Sequence, residues 1–147
     1  IAKVRLLKKV NSETTTINIL LNSGGGDVVE TLGIIDYIRG NKDMKFNIIC
    51  RGIAMSAAAL LLAAGTGVRA ASKHSKIMVH QLSTFAAGKL SDVKSNAKFA
   101  DRLEEECNSM MAEFTKKPKD WWQSNQQSDL FLSAEEALEL GIIDKII

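Results

Sequence analysis

Apolar residues are distributed along this chain in two alternating rhythms. Short, almost unbroken apolar runs rich in β-branched residues occupy 16–21, 46–50, 68–71, 76–80 and 142–147, as expected of strands buried in a sheet. Elsewhere the apolar positions step by three or four, which predicts helices. Ile1, Val4 and Leu7, with Lys3, Lys8 and Lys9 off their face, predict a short amphipathic helix at the start of the chain. A second helix is predicted over 28–39, closed by Gly40. A third, rich in Ala and Leu, falls within 53–65 and is stopped by Gly65, with Arg51-Gly52 as the turn before it. The longest predicted helix covers 90–115, where Val93, Ala97, Ala100, Leu103, Cys107, Met110 or Met111, and Phe114 form one stripe. Pro118 opens a short helix carrying Trp121 and Trp122. Ser133-Ala134-Glu135-Glu136 is a capping box that starts a last helix, ending at Gly141.

Strands alternating with helices imply an α/β fold with largely parallel pairing and right-handed crossovers. Ligands in such sheets collect at the carboxyl ends of the strands. Gly26, Ser56 and His80 each fall at or just beyond the end of a predicted strand, so one sheet edge is expected to gather them. The 147 residues make one domain by length, and 46% hydrophobic with 24% charged residues is an ordinary globular balance. A net charge of +2, with basic residues scattered, argues against nucleic acid as a partner. The longest apolar run is too short to span a bilayer, and no membrane association is expected. Cys50 and Cys107 have neither metal spacing nor a disulfide framework around them. They read as small buried hydrophobes in a reducing compartment, and no cofactor or metal is expected.

The candidate chemistry starts at Ser56, a lone hydroxyl at the head of the Ala- and Leu-rich run. Near a strand-to-helix junction it is either a close-packing residue or N-cap, or a nucleophile with the N–H of Ala57 aimed at the oxyanion it creates. Asn22-Ser23-Gly24-Gly25-Gly26-Asp27 occupies an earlier strand-to-helix turn. It is read as a tight turn or as the source of a second oxyanion donor, the N–H of Gly26. A phosphate cradle is the weaker reading, because neither a P-loop nor a G-x-G-x-x-G spacing is present. His80 is either a satisfied strand-end residue or the general base for Ser56. His74, among Lys73, Ser75 and Lys76, reads as solvated. Asp129 is either a turn residue or the carboxylate that orients the imidazole.

Four segments together carry a family resemblance. They are Asn22-Ser23-Gly24-Gly25-Gly26, Gly52-Ile53-Ala54-Met55-Ser56-Ala57, Lys76-Ile77-Met78-Val79-His80-Gln81 and the stretch from Asp129 to Ala137. In order and spacing they resemble the Clp protease proteolytic subunit (ClpP) family, over essentially the whole chain, 1–147. The resemblance implies a ClpP/crotonase-like fold, a repeated β-β-α superhelix, with residues 90–115 as a projecting handle helix. It implies a serine endopeptidase with Ser56 as nucleophile, His80 as base, Asp129 as orienting acid, and the N–H groups of Gly26 and Ala57 as oxyanion hole. The implied setting is cytoplasmic: a homo-oligomer of heptameric rings, one or two stacked, enclosing the sites. An ATP-driven AAA+ unfoldase would feed it protein and peptide substrates.

The chain departs from the family pattern at several positions. Gly24 stands where the family has Pro, Ala58 where it has Gly, and Leu82 where Pro comes after the His-Gln pair. Gln126-Gln127-Ser128 replaces a charged stretch that ties rings together, and the family's N-terminal axial-loop segment has no counterpart before Ile1. Such divergence suits a phage-encoded or accessory member. Three rivals share the fold: a Ser/Lys peptidase with Lys73 or Lys76 as base, a crotonase acyl-CoA enzyme, and a weak or non-catalytic ring subunit.

Overall fold

The computed structural model describes residues 15–147. The helix expected at the very start of the chain lies outside the described residues. The described residues form β1 (Thr16–Ser23), α1 (Val28–Gly40), β2 (Lys45–Met55), α2 (Ala57–Ala63), β3 (Arg69–Ala71), β4 (Lys76–Val79), α3 (Leu90–Phe114), α4 (Lys119–Asn125), β5 (Leu130–Leu132), α5 (Ala134–Leu140) and β6 (Lys145–Ile146). The architecture is the mixed α/β one expected from the sequence, with one long helix, α3. Six strands form one sheet in the order β5-β4-β2-β3-β6, with β1 also on β2. Every pairing is parallel except β4 with β5.

The central strand β2 is longer than its apolar run predicts, and the expected turn at Arg51-Gly52 lies inside it. Its first half, Ile48–Cys50, pairs with β3, and its second half, Ile53–Met55, pairs with β4. At the changeover the register with β1 slips: Leu21 faces Cys50 but Ser23 faces Ala54, leaving Asn22 opposite Arg51, Gly52 and Ile53. A β-bulge of this kind bends the strand and re-aims the residues beyond it. Gly52 takes φ +106, and a Cβ there would lie 2.6 Å from Asn22 Oδ1. That oxygen accepts the N–H of Ile53 at 3.1 Å, so the Asn22 side chain satisfies a donor the bulge removes from the ladder. The apolar residues 53–55 are therefore strand rather than helix, and α2 begins only at Ala57.

The buried core runs from Phe46, Ile48 and Cys50 on β2 through Ala59, Leu62 and Ala63 on α2 to Ile142 and Ile143. Helix α2 is hydrophobic nearly all round because it is packed inside this layer. It ends at Ala63 with Ala64 as C-cap; Gly65 instead gives room for the Arg69 and Ile48 side chains. Strand β1 is not covered on both faces within one chain, as its sequence suggests: Leu20 is 68% exposed. The stripe of α3 is likewise only half used. Leu103, Met111 and Phe114 are buried, whereas Val93, Ala97 and Ala100 are not, so the amino-terminal half of a helix about 37 Å long stands away from the core. Trp122 is buried, with its Nε1–H donated to Thr115 Oγ1 at 3.0 Å. The Ser133/Glu136 capping box forms as predicted.

A candidate active site at the end of β2 and β4

Ser56 links β2 to α2 and has φ 55 and ψ −129, the sole positive φ at a non-glycine among the described residues. Such a conformation carries strain for an L-residue and persists only where its surroundings enforce it. Two contacts do so here. The Ser56 N–H donates to Met78 O on β4 at 2.8 Å, and its carbonyl accepts the Ala59 N–H at 2.9 Å. The side chain makes no N-cap hydrogen bond, so the capping reading of Ser56 fails. Instead Oγ lies 2.8 Å from Nε2 of His80.

His80 directly succeeds β4, and the β4–β5 register brings Asp129 beside it, because Val79 faces Leu130 in an antiparallel pair. The sequence pattern assigns no element to 127–132; β5 exists because β4 offers it a partner. The Nδ1···Oδ1 separation between His80 and Asp129 is 4.0 Å, an ion-pair contact too long for a hydrogen bond, and the Asp129 side chain is 57% exposed. Lys73 and Lys76, the alternative bases, are exposed, as is His74.

The glycine turn closes the other side. Gly25 takes φ +102, and a Cβ on it would sit 2.7 Å from Met55 O and 2.8 Å from Ser56 Cβ. Its N–H donates to Ser23 Oγ at 3.2 Å, and Asp27 caps α1 by accepting the Glu30 N–H at 2.9 Å. Ala57 opens α2, so its N–H has no acceptor within the helix. A cleft with roughly 660 Å³ of free space, part of it open to solvent, is lined by Gly26, Ser56, Ala57 and His80 together with Leu60, Cys107 and Met111. Gly26, Ser56, Ala57 and His80 thus share one cavity, with Asp129 behind the imidazole. Burial, reinforced by the Glu104 and Glu106 carboxylates, pushes the Cys107 thiol up to about 11, which leaves it protonated at neutral pH.

Sequence reasoning missed a polar layer under this cleft. The Leu82 N–H donates to Glu104 Oε2 at 2.5 Å, and Glu104 Oε1 accepts from Asn108 Nδ2 at 3.4 Å. The buried Asn108 in turn accepts from Gln126, whose backbone carbonyl accepts the Gln81 N–H at 2.9 Å. The signal available was positional: Glu104 and Asn108 sit beside Leu103 and Cys107, on the margin of the α3 stripe. Among the described residues no metal-holding group of His, Cys, Asp or Glu forms, and no helix is long and apolar enough to cross a membrane.

This arrangement has relatives. A sequence model described as Clp protease matches residues 1–147. The ATP-dependent Clp protease proteolytic subunit 2 of Parasynechococcus marenigrum is 39% identical over 132 residues, covering 89% of this chain and 66% of that protein. Subunit 1 of Prochlorococcus marinus subsp. pastoris is 37% identical over 132 residues, covering 89% of this chain and 67% of its own length. The chain thus spans about two thirds of the length of the curated relatives it matches. With a strained serine at a strand-to-helix elbow, an imidazole against it and a family match across every residue, the chain belongs to the Clp protease family.

Proposed function

We propose that this chain is the catalytic subunit of a ClpP-type serine endopeptidase that hydrolyses unfolded proteins and peptides. The observation that carries the reading is the 2.8 Å approach of Ser56 Oγ to His80 Nε2 in a cleft, at a serine whose backbone is held at positive φ. Ser56 Oγ attacks the scissile carbonyl while His80 Nε2 takes its proton. The tetrahedral oxyanion accepts the N–H groups of Gly26 and Ala57. His80 returns the proton to the leaving amine, and water, activated by the same imidazole, hydrolyses the acyl ester. Asp129 favours the tautomer that leaves Nε2 free to accept, and supports the imidazolium.

The same proposal extends to assembly. The exposed Leu20, Phe85, Leu90 and Phe99 and the uncovered half of α3 are apolar surface that subunit contacts would bury. Family membership and the name of the relatives, ATP-dependent Clp protease proteolytic subunit, support a homo-oligomer of heptameric rings, single or stacked, working in the cytoplasm with an AAA+ unfoldase. The test is labelling by a fluorophosphonate probe together with hydrolysis of fluorogenic peptides. Both are expected in the wild type and lost in Ser56→Ala; labelling that persists in the variant removes Ser56 as the nucleophile. The 4.0 Å His80–Asp129 gap favours one other reading, a ring subunit with weak activity of its own. Under that reading wild-type labelling rises only on mixing with an active paralogue.

A further inference from the structure

The cleft beside Ser56 has an unusual charge content. Of its lining residues, Glu104 alone carries a fixed charge, and no lysine or arginine lines it. Among the described residues no cation pairs with the Glu104 carboxylate, whereas Glu105 next to it is held by Lys119 at 2.8 Å. The remaining wall is largely apolar: Leu60, Val79, Cys107 and Met111. Glu104 is part-buried and fixed in place, with one oxygen accepting the Leu82 N–H and the other in a long contact with Asn108. A carboxylate offers about four acceptor sites, so it retains capacity for a further donor. The raised Cys107 thiol, to which Glu104 contributes after burial, reports the same negative field inside the cleft.

From this geometry we infer that Glu104 is a specificity-determining residue, selecting substrates whose side chain on the acyl side of the scissile bond is lysine or arginine. The inference rests on the peptidase reading above. Such a side chain pairs an apolar shaft with a cationic tip, matching an apolar wall that ends in one carboxylate. Leu82, whose N–H holds Glu104, lies two residues beyond His80, so the carboxylate is tied to the segment that carries the imidazole and lines the same cleft as Ser56. Elsewhere among serine proteases an acidic group in the primary pocket imposes the same choice. The donor that positions Glu104 exists only because residue 82 is not proline.

The experiment uses the full-length protein and fluorogenic peptides that differ only in the residue before the cleaved bond. Wild-type kcat/KM is expected to be about tenfold or more higher after Lys or Arg than after Leu or Met, a preference that shrinks with added salt. In Glu104→Gln, which keeps an acceptor for the Leu82 N–H, that ratio should fall about tenfold, and in Glu104→Lys further still. Equal or better cleavage after Leu by the wild type, or an unchanged ratio in Glu104→Gln, overturns the inference. If Ser56 is labelled by the fluorophosphonate while cleavage occurs after apolar residues, only the specificity claim falls. If there is neither labelling nor cleavage, the peptidase reading falls with it.

Discussion

Gly25 and Ser56 are packed so closely that a methyl group on Gly25 would lie 2.8 Å from the Cβ of Ser56. The glycine turn and the serine elbow therefore support one another, each in a backbone conformation that side chains disfavour. Gly25→Ala should be doubly penalised, by its φ of +102 and by collision with Met55 O at 2.7 Å. Displacing the turn also moves the Gly26 N–H, the proposed oxyanion donor, so turnover is expected to fall by about 10²-fold or more, the cost of one such donor. Steady-state kinetics with a thermal melt checks it, and near-native turnover in a folded variant would remove the turn from the catalytic machinery.

The carboxylate behind His80 sits at 4.0 Å and is more than half exposed. A tightly bonded triad aspartate is worth about 10⁴-fold in kcat when changed to asparagine. Asp129→Asn in this protein is expected to cost clearly less, about 10–10²-fold, since the contact is long and screened. A full 10⁴-fold loss, measured by single-turnover acylation, means that assembly draws Asp129 onto Nδ1.

Gly24 has no neighbour within 4 Å of where a Cβ would be, and the residue before it, Ser23, is extended. Proline accepts an extended predecessor, and it stiffens the unfolded chain. Gly24→Pro is expected to stabilise the protein by about 0.4–1 kcal/mol, raising Tm by about 1–4 °C. A drop in Tm in differential scanning calorimetry would show that the native turn needs a φ that proline lacks.

Arg69 and Asp144 fasten the far end of the sheet. Arg69 reaches Asp144 with its side chain and backbone N–H, and its guanidinium also donates to Phe114 O at 2.6 Å. Burial works against the Asp144 carboxylate, but hydrogen bonds and charge from Arg69, with Lys116 beyond, outweigh it and hold its pKa below the ordinary range. A depressed folded pKa means stability that is present above about pH 4, where unfolded aspartate ionises, and lost as pH falls through the folded value. With the Asp144 side chain 43% exposed, the contribution is discounted to about 1 kcal/mol. Asp144→Asn should therefore lower the urea midpoint at pH 7, and the gap to wild type should close in acid. A gap that persists unchanged below the ordinary aspartate range contradicts this.

Much of this molecule is legible from periodicity and a few side chains. The helices over 28–39 and 90–115, the parallel alternation and the capping box at Ser133 depend on local patterns, and all are present. Residues 53–55 read as helix in the sequence because a short apolar run has the same composition in a buried strand and a buried helix. Only the partner β4 settles it. Strand β5 is invisible for the same reason, since three residues acquire a strand identity through pairing alone.

That a hydroxyl, an imidazole and a carboxylate stand near strand ends, in the order and spacing of a known family, is written in the covalent chain, because spacing along it does not depend on folding. How they meet is a matter of packing, which the folded molecule alone supplies. The register shift at Gly52 hands β2 from one neighbour to another, Ser56 Oγ meets His80 at 2.8 Å, and the β4–β5 pairing leaves Asp129 at ion-pair distance. The tertiary structure likewise decided that Glu104, one acidic residue among many on a charged helix, stands unpaired by any cation among the described residues in the cleft. Side-chain electrostatics of that kind depend on what packs around a residue, and neighbours distant in sequence supply the packing.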